Sequence, residues 1–236
     1  MELLAPAGNW QALVAAIENG ANAVYLGGPV FNARHSAENF TIEMIKQAVE
    51  YAHLRNVKVY ITVNTLLHTH ELDGVLDYVF ELYNLDIDAV IVQDLGLLSL
   101  LRDLLPDLPL HASTQMTVHN HEGVNLLGQQ GIKRVVLARE LSLPEIKHIS
   151  NNSTAELELF VHGALCYSYS GQCLFSSLVG GRSGNRGRCA QPCRLPYILY
   201  SERSGKQSLE GKYLLSPSDL NLIDYLSAIQ ESSVHS

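Results

Sequence analysis

Residues 89–94 read Ala-Val-Ile-Val-Gln-Asp, four β-prone apolar residues that end abruptly on an amide and a carboxylate. Strict alternation of apolar and polar residues would leave one sheet face in water. A continuous Val/Ile run instead marks a strand buried on both faces, as in a parallel sheet covered by helices. The same unit recurs outward in both directions. Over the first 163 residues a short β-rich run is followed by an amphipathic stretch every 20 to 30 residues or so. The spacing predicts strands at Glu2–Ala5, Ala23–Gly27, Lys58–Asn64, Ala89–Gln93, Leu110–Thr114, Arg134–Ala138 and Leu157–Val161.

Helix signals sit between these strands. After Thr41, a cap residue, Ile42, Ile45, Val49 and Ala52 follow helical spacing. Ser142-Leu-Pro-Glu places a cap, a first-turn proline and a capping-box glutamate in order. Alternating βα units predict an α/β fold, a TIM-like (β/α)8 barrel of about seven βα units that is incomplete at the C-terminus. The alternative is a doubly wound open sheet. Its dinucleotide-binding form loses support because Ala5-Pro-Ala-Gly-Asn-Trp10, and no Gly-x-Gly-x-x-Gly, follows the first strand. A single domain is expected, with the barrel body at 1–163, a Cys/Gly/Arg-rich loop region at 164–212 inserted after the seventh strand, and a final helix at 213–236. With no further strand in the last residues, the expectation is a truncated barrel, or one completed by another segment or a partner subunit.

In a barrel, residues just after each strand share one rim, where active sites lie. Those positions hold Asn64, Gln93, Asp94, Ser113 to Gln115, Arg139, Glu140 and His162. Any one of them reads equally well as a helix cap. As a ring they predict a substrate pocket, with Asn64, Asp94, Gln115, Arg139, Glu140 and His162 as catalytic candidates.

The net charge of −8 argues against general adhesion to nucleic acid. Arg182, Arg186, Arg188 and Arg194 nevertheless form a local cationic stretch with no acid among them, suited to phosphate or carboxylate contacts. Tyr167 and Tyr169 nearby are of the type that stacks on bases. The N-terminus lacks the pattern of a secretory signal, and no apolar run reaches the ~18 residues of a membrane span. The expectation is a cytoplasmic protein without membrane contact, where thiols stay reduced.

All four cysteines fall within 28 residues, as Cys166-x6-Cys173-x15-Cys189-x3-Cys193. A zinc site prefers two tight knuckles, and the first spacing is too wide for one. An iron–sulfur cluster tolerates irregular spacing, and the glycines around these thiols let backbone wrap closely about such a body. A catalytic thiol working with His162 is the third reading.

Glu158-Leu-Phe-Val-His-Gly-Ala-Leu-Cys-Tyr-Ser-Tyr-Ser-Gly-Gln-Cys-Leu-Phe-Ser176 resembles the signature of the collagenase-like peptidase family, peptidase family U32. Asn185-Arg-Gly-Arg-Cys-Ala-Gln-Pro-Cys-Arg194, Leu4-Ala-Pro-Ala-Gly8 and Ser113-Thr-Gln-Met-Thr-Val-His-Asn120 are similar to the same family. The family carries a protease name, while bacterial members are implicated in oxygen-independent hydroxylation of tRNA, of rRNA and of a quinone precursor. The resemblance implies a [4Fe–4S] cluster on Cys166, Cys173, Cys189 and Cys193, and prephenate, a small carboxylate, as hydroxyl donor. It further implies tRNA or rRNA as substrate, with a peptidase or a non-catalytic binding partner as the alternatives. Members of the family continue past the Ser216-Pro-Ser-Asp-Leu220 stretch into a pocket-lining strand and further domains, which this sequence lacks.

Overall fold

The computed structural model describes residues 1–33, 38–201, 205–207 and 213–236. Seven parallel strands pair strictly in chain order: β1 (Leu4–Pro6), β2 (Ala23–Gly27), β3 (Lys58–Val63), β4 (Ala89–Val92), β5 (Leu110–Ala112), β6 (Ile132–Val136) and β7 (Glu156–Glu158). Between them run α1 (Trp10–Glu18), α2 (Ile42–His53), α3 (Leu72–Asn84), α4 (Leu95–Leu104), α5 (His121–Gln129) and α6 (Leu143–Asn151). A doubly wound sheet reverses its strand order at a switch point. Here the order never reverses, and the sheet curls as a half-barrel with helices on its outer face.

The helix starts follow the chemistry expected of them. Thr41 Oγ1 accepts from the Met44 N–H, and Ser142 closes a reciprocal box with Glu145, whose carboxylate takes the Ser142 N–H at 2.8 Å. Each such cap is worth about 1 kcal/mol. The inner stripe of α2 is Ile45, Ala48, Val49 and Ala52, all buried, one row round from the expected Ile42. These side chains belong to the main core between helices and sheet.

The seventh strand ends earlier than the sequence pattern suggests. Ladder pairing stops at Glu158, and His162–Gly163 form a separate short strand, β8. The loop region holds α7 (Phe175–Gly180) and an antiparallel hairpin of β9 (Leu199–Ser201) and β10 (Gly205–Gln207); its residues 202–204 and 208–212 lie outside the described residues. The chain then returns, and β11 (Leu220–Asn221) pairs antiparallel with β8. A short helix α8 (Leu226–Glu231) buries Ile229 in the core. Beyond it the backbone spans the open seam. Ser236 N–H donates to Leu157 C=O at 3.2 Å, Leu159 N–H donates to Ser236 C=O at 2.9 Å, and Glu2 N–H donates to His235 C=O at 2.6 Å. The gap expected beside β7 is thus bridged to β1 by two residues in parallel register. Among the described residues no helix is long and apolar enough to cross a membrane.

Alternation along the strands divides side chains between the helix-covered face and the barrel interior. The interior is not purely apolar. Tyr60, Ala23, Ala89 and Ile91 form a small cluster there, and Arg134 of β6 stands among them, 5% exposed. Its guanidinium donates to Glu2 at 2.5 Å and to Glu156 at 2.7 and 2.9 Å, lies 3.6 Å from Glu158, and sits over the Tyr60 ring. Tyr60 O–H donates to Glu2 at 3.0 Å. Removing this buried cation leaves three carboxyls facing one another, so Arg134→Met should lower stability by about 3–5 kcal/mol. Urea denaturation measures it; a loss below about 1 kcal/mol would mean that the carboxyls relax simply by taking up protons.

Candidate active site

Two residues beyond the Tyr60 layer, each inner strand offers its next inward side chain. Tyr25, Thr62, Ile91, Ser113, Val136 and Glu158 floor a cavity of about 270 Å³ at the C-terminal ends of the strands. Asn32, Asn39, Asn64, Gln115, Arg139 and Phe160 stand around its rim, with Cys166 and Gly171 reaching in from the loop after β8. A polar pocket at this end of a parallel barrel sheet is where enzymes of the architecture carry out chemistry.

Of the six catalytic candidates, the structure brings Asn64, Gln115 and Arg139 together at this mouth. Asn64 accepts from the Ala33 N–H at 2.9 Å and donates to Ser113 Oγ at 3.3 Å, pinning the loop after β2 to the rim. Gln115 Oε1 is buried without a hydrogen-bond partner. Arg139 lies over the Phe160 ring at 4.2 Å and donates to Ala164 C=O at 3.1 Å. The other three are placed elsewhere. Asp94 caps α4 through the Leu97 N–H at 3.0 Å and holds the Leu67 N–H at 3.1 Å, so its carboxylate serves two backbone donors. Both oxygens of Glu140 accept from Ser170, at 2.7 Å each. His162 is exposed on β8, outside the lining.

Glu158 is the pocket residue that the rim positions did not reveal. Burial raises its carboxyl to about 7, against the opposing pull of Arg134. The signal lay in the strand itself: Glu156 and Glu158 alternate through an otherwise apolar run, which places both on the same face, inside the barrel.

The cysteine loop is held against the rim at several points. Arg186 grips Glu71 through both oxygens, at 2.6 and 2.9 Å, and donates to Leu66 C=O, while Leu66 N–H donates to Asn185 C=O. That guanidinium holds the Glu71 carboxyl down at about 2, helped by the His68 N–H. Gly187 has φ +72° and packs directly on the Asn32 carbonyl, where any Cβ would clash. Arg194 ties Leu165 C=O to Ser216 and Pro217. Two of the four expected phosphate-binding arginines thus have structural partners, whereas Arg182 and Arg188 face solvent.

All four thiols are free. Cys173 Sγ accepts from the Phe175 N–H at 3.3 Å and Cys189 Sγ from the Gln191 N–H at 3.4 Å. Burial pushes the Cys193 thiol up, with Cys166 and Cys189 adding to the rise. Gly184 lies between the Cys173 carbonyl and Cys189 Cβ. Among the described residues no three His, Cys, Asp or Glu side chains converge on one ion position.

Fold and pocket together define a (β/α)-barrel protein whose mouth is bordered by a four-cysteine loop. The chain belongs to peptidase family U32, whose profile matches residues 8–236. It is 43% identical over 236 residues to the 23S rRNA 5-hydroxycytidine C2501 synthase of Escherichia coli (strain K12), covering 100% of this chain and 35% of that protein. It is 38% identical over 240 residues to tRNA hydroxylation protein P1 of Bacillus subtilis (strain 168), covering 100% of this chain and 57% of that one. The chain thus spans only a third to three-fifths of the length of these relatives. The solved structure of the U32 peptidase Mk0906 superposes with a TM-score of 0.56 at 17% identity over 70% of each chain, a likeness of fold.

The Arg186–Glu71 clamp is partly solvated, so Arg186→Ala should cost under about 1 kcal/mol of global stability yet speed hydrogen exchange across residues 183–189. Because the Glu71 carboxyl is depressed in the folded state, the clamp is complete above the ordinary carboxylate value of 4.5 and is lost as pH falls toward about 2. Exchange mass spectrometry of the unsubstituted protein, corrected for intrinsic rates, should find the loop's protection constant from pH 7 to pH 5 and falling steadily below pH 4.5; protection unchanged down to pH 3 would contradict this depression.

Proposed function

We propose that this chain is the barrel part of an RNA-modifying enzyme that hydroxylates a pyrimidine base, with a [4Fe–4S] cluster on Cys166, Cys173, Cys189 and Cys193. The observation that carries the reading is the position of Cys166, which lines the same cavity as Glu158, Asn64, Gln115 and Arg139. A centre held by these thiolates would border the pocket directly. The N–H···S bonds to Cys173 and Cys189 suit thiolate ligands, whose charge such donors stabilise. Bound there, a cluster would supply one-electron redox chemistry beside the substrate. The RNA-hydroxylating relatives, similar across the full length of this chain, supply the substrate class.

The residues of the chain have separable tasks in this reading. Asn64 fixes the loop after β2, and the apolar walls at Ile91, Val136 and Phe160 keep water from the reacting ring. Arg139 is the rim cation that a small carboxylate donor, prephenate for instance, would meet. Arg182 and Arg188 stand exposed in the same loop region as the exposed rings of Tyr167 and Tyr169, an arrangement suited to an RNA strand through phosphate contacts and stacking. The peptidase reading of the family name is weaker here, because His162, the base it would assign to Cys166, lies outside the cavity that Cys166 lines.

Anaerobically purified protein should be brown with about four irons per chain, and Cys166→Ser should bleach it. Nucleoside mass spectrometry of RNA from a strain lacking the gene should show one hydroxylated pyrimidine missing, restored by the wild-type gene and not by Cys166→Ser. A colourless, zinc-loaded protein would overturn the cluster, and an unchanged nucleoside profile the RNA substrate.

A further inference from the structure

Four residues after Cys166 and three before Cys173 the chain turns at Tyr169–Gly171, and Ser170 at its centre is buried with φ 38° and ψ 36°. That left-handed conformation brings the Cβ of an L-residue too close to the following carbonyl, so a serine keeps it only where its surroundings hold it there. Gly171, at φ +85°, continues the turn without that penalty. The hold on Ser170 comes from Glu140. Its Oε1 accepts from the Ser170 N–H and its Oε2 from the Ser170 O–H, each at 2.7 Å. The two donors of one serine thus meet both oxygens of one carboxylate, and hydrogen bonds to a charged acceptor are roughly twice as strong as neutral ones.

Glu140 has no local duty that explains this contact. The start of α6 is served by the box of Ser142 and Glu145, so the Glu140 carboxylate is not taken up by its own helix. Nor does Glu140 line the cavity, although Cys166, Ser170 and Gly171 all do. A carboxylate whose two oxygens are engaged by a pocket-lining residue acts on the pocket through that residue. The flanks of the turn are held as well. Arg139, beside Glu140, donates to Ala164 C=O at 3.1 Å, two residues before Cys166. Gln172 donates to Gln115 C=O at 2.7 Å, and Cys173 N–H donates back to Gly171 C=O at 2.8 Å. The backbone joining the two thiols is thereby fixed at its start, middle and end, and the middle contact is the one that opposes a backbone preference. Releasing it frees Ser170 to leave the left-handed region, which redirects the chain between Cys166 and Cys173.

We propose that Glu140 is a positioning residue for the centre held by the cysteine loop. By locking the turn at Ser170 it sets the separation and direction at which Cys166 and Cys173 present their thiolates beside the pocket. The proposal rests on the cluster reading above and names the side chain that preorganises two of the four ligands, as hydrogen-bonding partners behind a ligand set commonly do.

Glu140→Ala, Glu140→Gln and Ser170→Ala test it in the anaerobically purified full chain. Glutamine can accept from the Ser170 N–H and donate to Ser170 Oγ, so it keeps the clasp without the charge; alanine at 140 loses both bonds, and Ser170→Ala loses one. In iron-loaded protein, transfer of iron to a chelator should be about tenfold faster or more in Glu140→Ala, with an altered electron paramagnetic resonance signal of the reduced centre. Glu140→Gln should match the wild type in both, and Ser170→Ala should fall between. In iron-free protein, hydrogen exchange across residues 166–173 should rise in the same order. An anchor that serves the fold alone would lower the melting temperature and leave the resonance signal and iron release of the loaded protein unchanged, and that outcome overturns the proposal. Should Glu140→Ala not fold, Ser170→Ala against Glu140→Gln decides by the same readouts. A wild-type protein that takes up no iron would sink the cluster reading and this proposal with it, whereas an unaltered centre in Glu140→Ala sinks the proposal alone.

Discussion

A single guanidinium inside the barrel organises the lower half of this molecule. Arg134 is planted on β6, cannot lose its proton, and must find anionic partners within reach. It finds them on both sides of the seam, Glu2 just before β1 and Glu156 on β7, so one side chain ties the first strand to the last. The bridge matters because the sheet has no eighth ladder between those strands. The backbone of His235 and Ser236 crosses the same gap, and the two connections lie in series with Glu2, which takes part in both.

That arrangement has a consequence one layer up. An ion pair that satisfies Glu2 and Glu156 leaves Glu158 near the positive charge but outside its hydrogen-bonding fork, at the level where the interior opens into the mouth. The carboxyl therefore feels burial more than attraction. The structural need to close the barrel thus sets the charge environment of a carboxyl that lines the pocket.

Much of the architecture was legible in the sequence because parallel strands buried on both faces announce themselves as unbroken Val/Ile/Leu runs, and capping chemistry marks the helices between them. Ala23–Gly27 was bounded correctly, and Ser142 formed its box with Glu145 as its spacing implied. The site was less legible because position after a strand does not separate two fates. Asp94 and Asn64 both follow apolar runs; the next helix captures Asp94 as its cap, whereas Asn64 is turned across the rim to Ser113. Glu158 escapes the rim rule for the opposite reason. It lies within a strand, where the rim rule does not look, and only the two-residue alternation with Glu156 betrays it.

The loop bearing the cysteines has little regular structure of its own, so the thiols owe their place near the mouth to contacts made by their neighbours. Ser170 is held by Glu140, Gln172 donates to the Gln115 carbonyl and to Thr117, Arg186 grips Glu71, Gly187 rests on Asn32, and Arg194 joins the two ends of the loop region. Every one of these anchors lies within four residues of a cysteine or of the stretch between two of them. Several land on segments that also line the pocket, at Asn32 and Gln115. A shift of the rim to admit a ligand would therefore move the thiols with it, and whatever they hold would register the occupancy of the pocket through the same few hydrogen bonds.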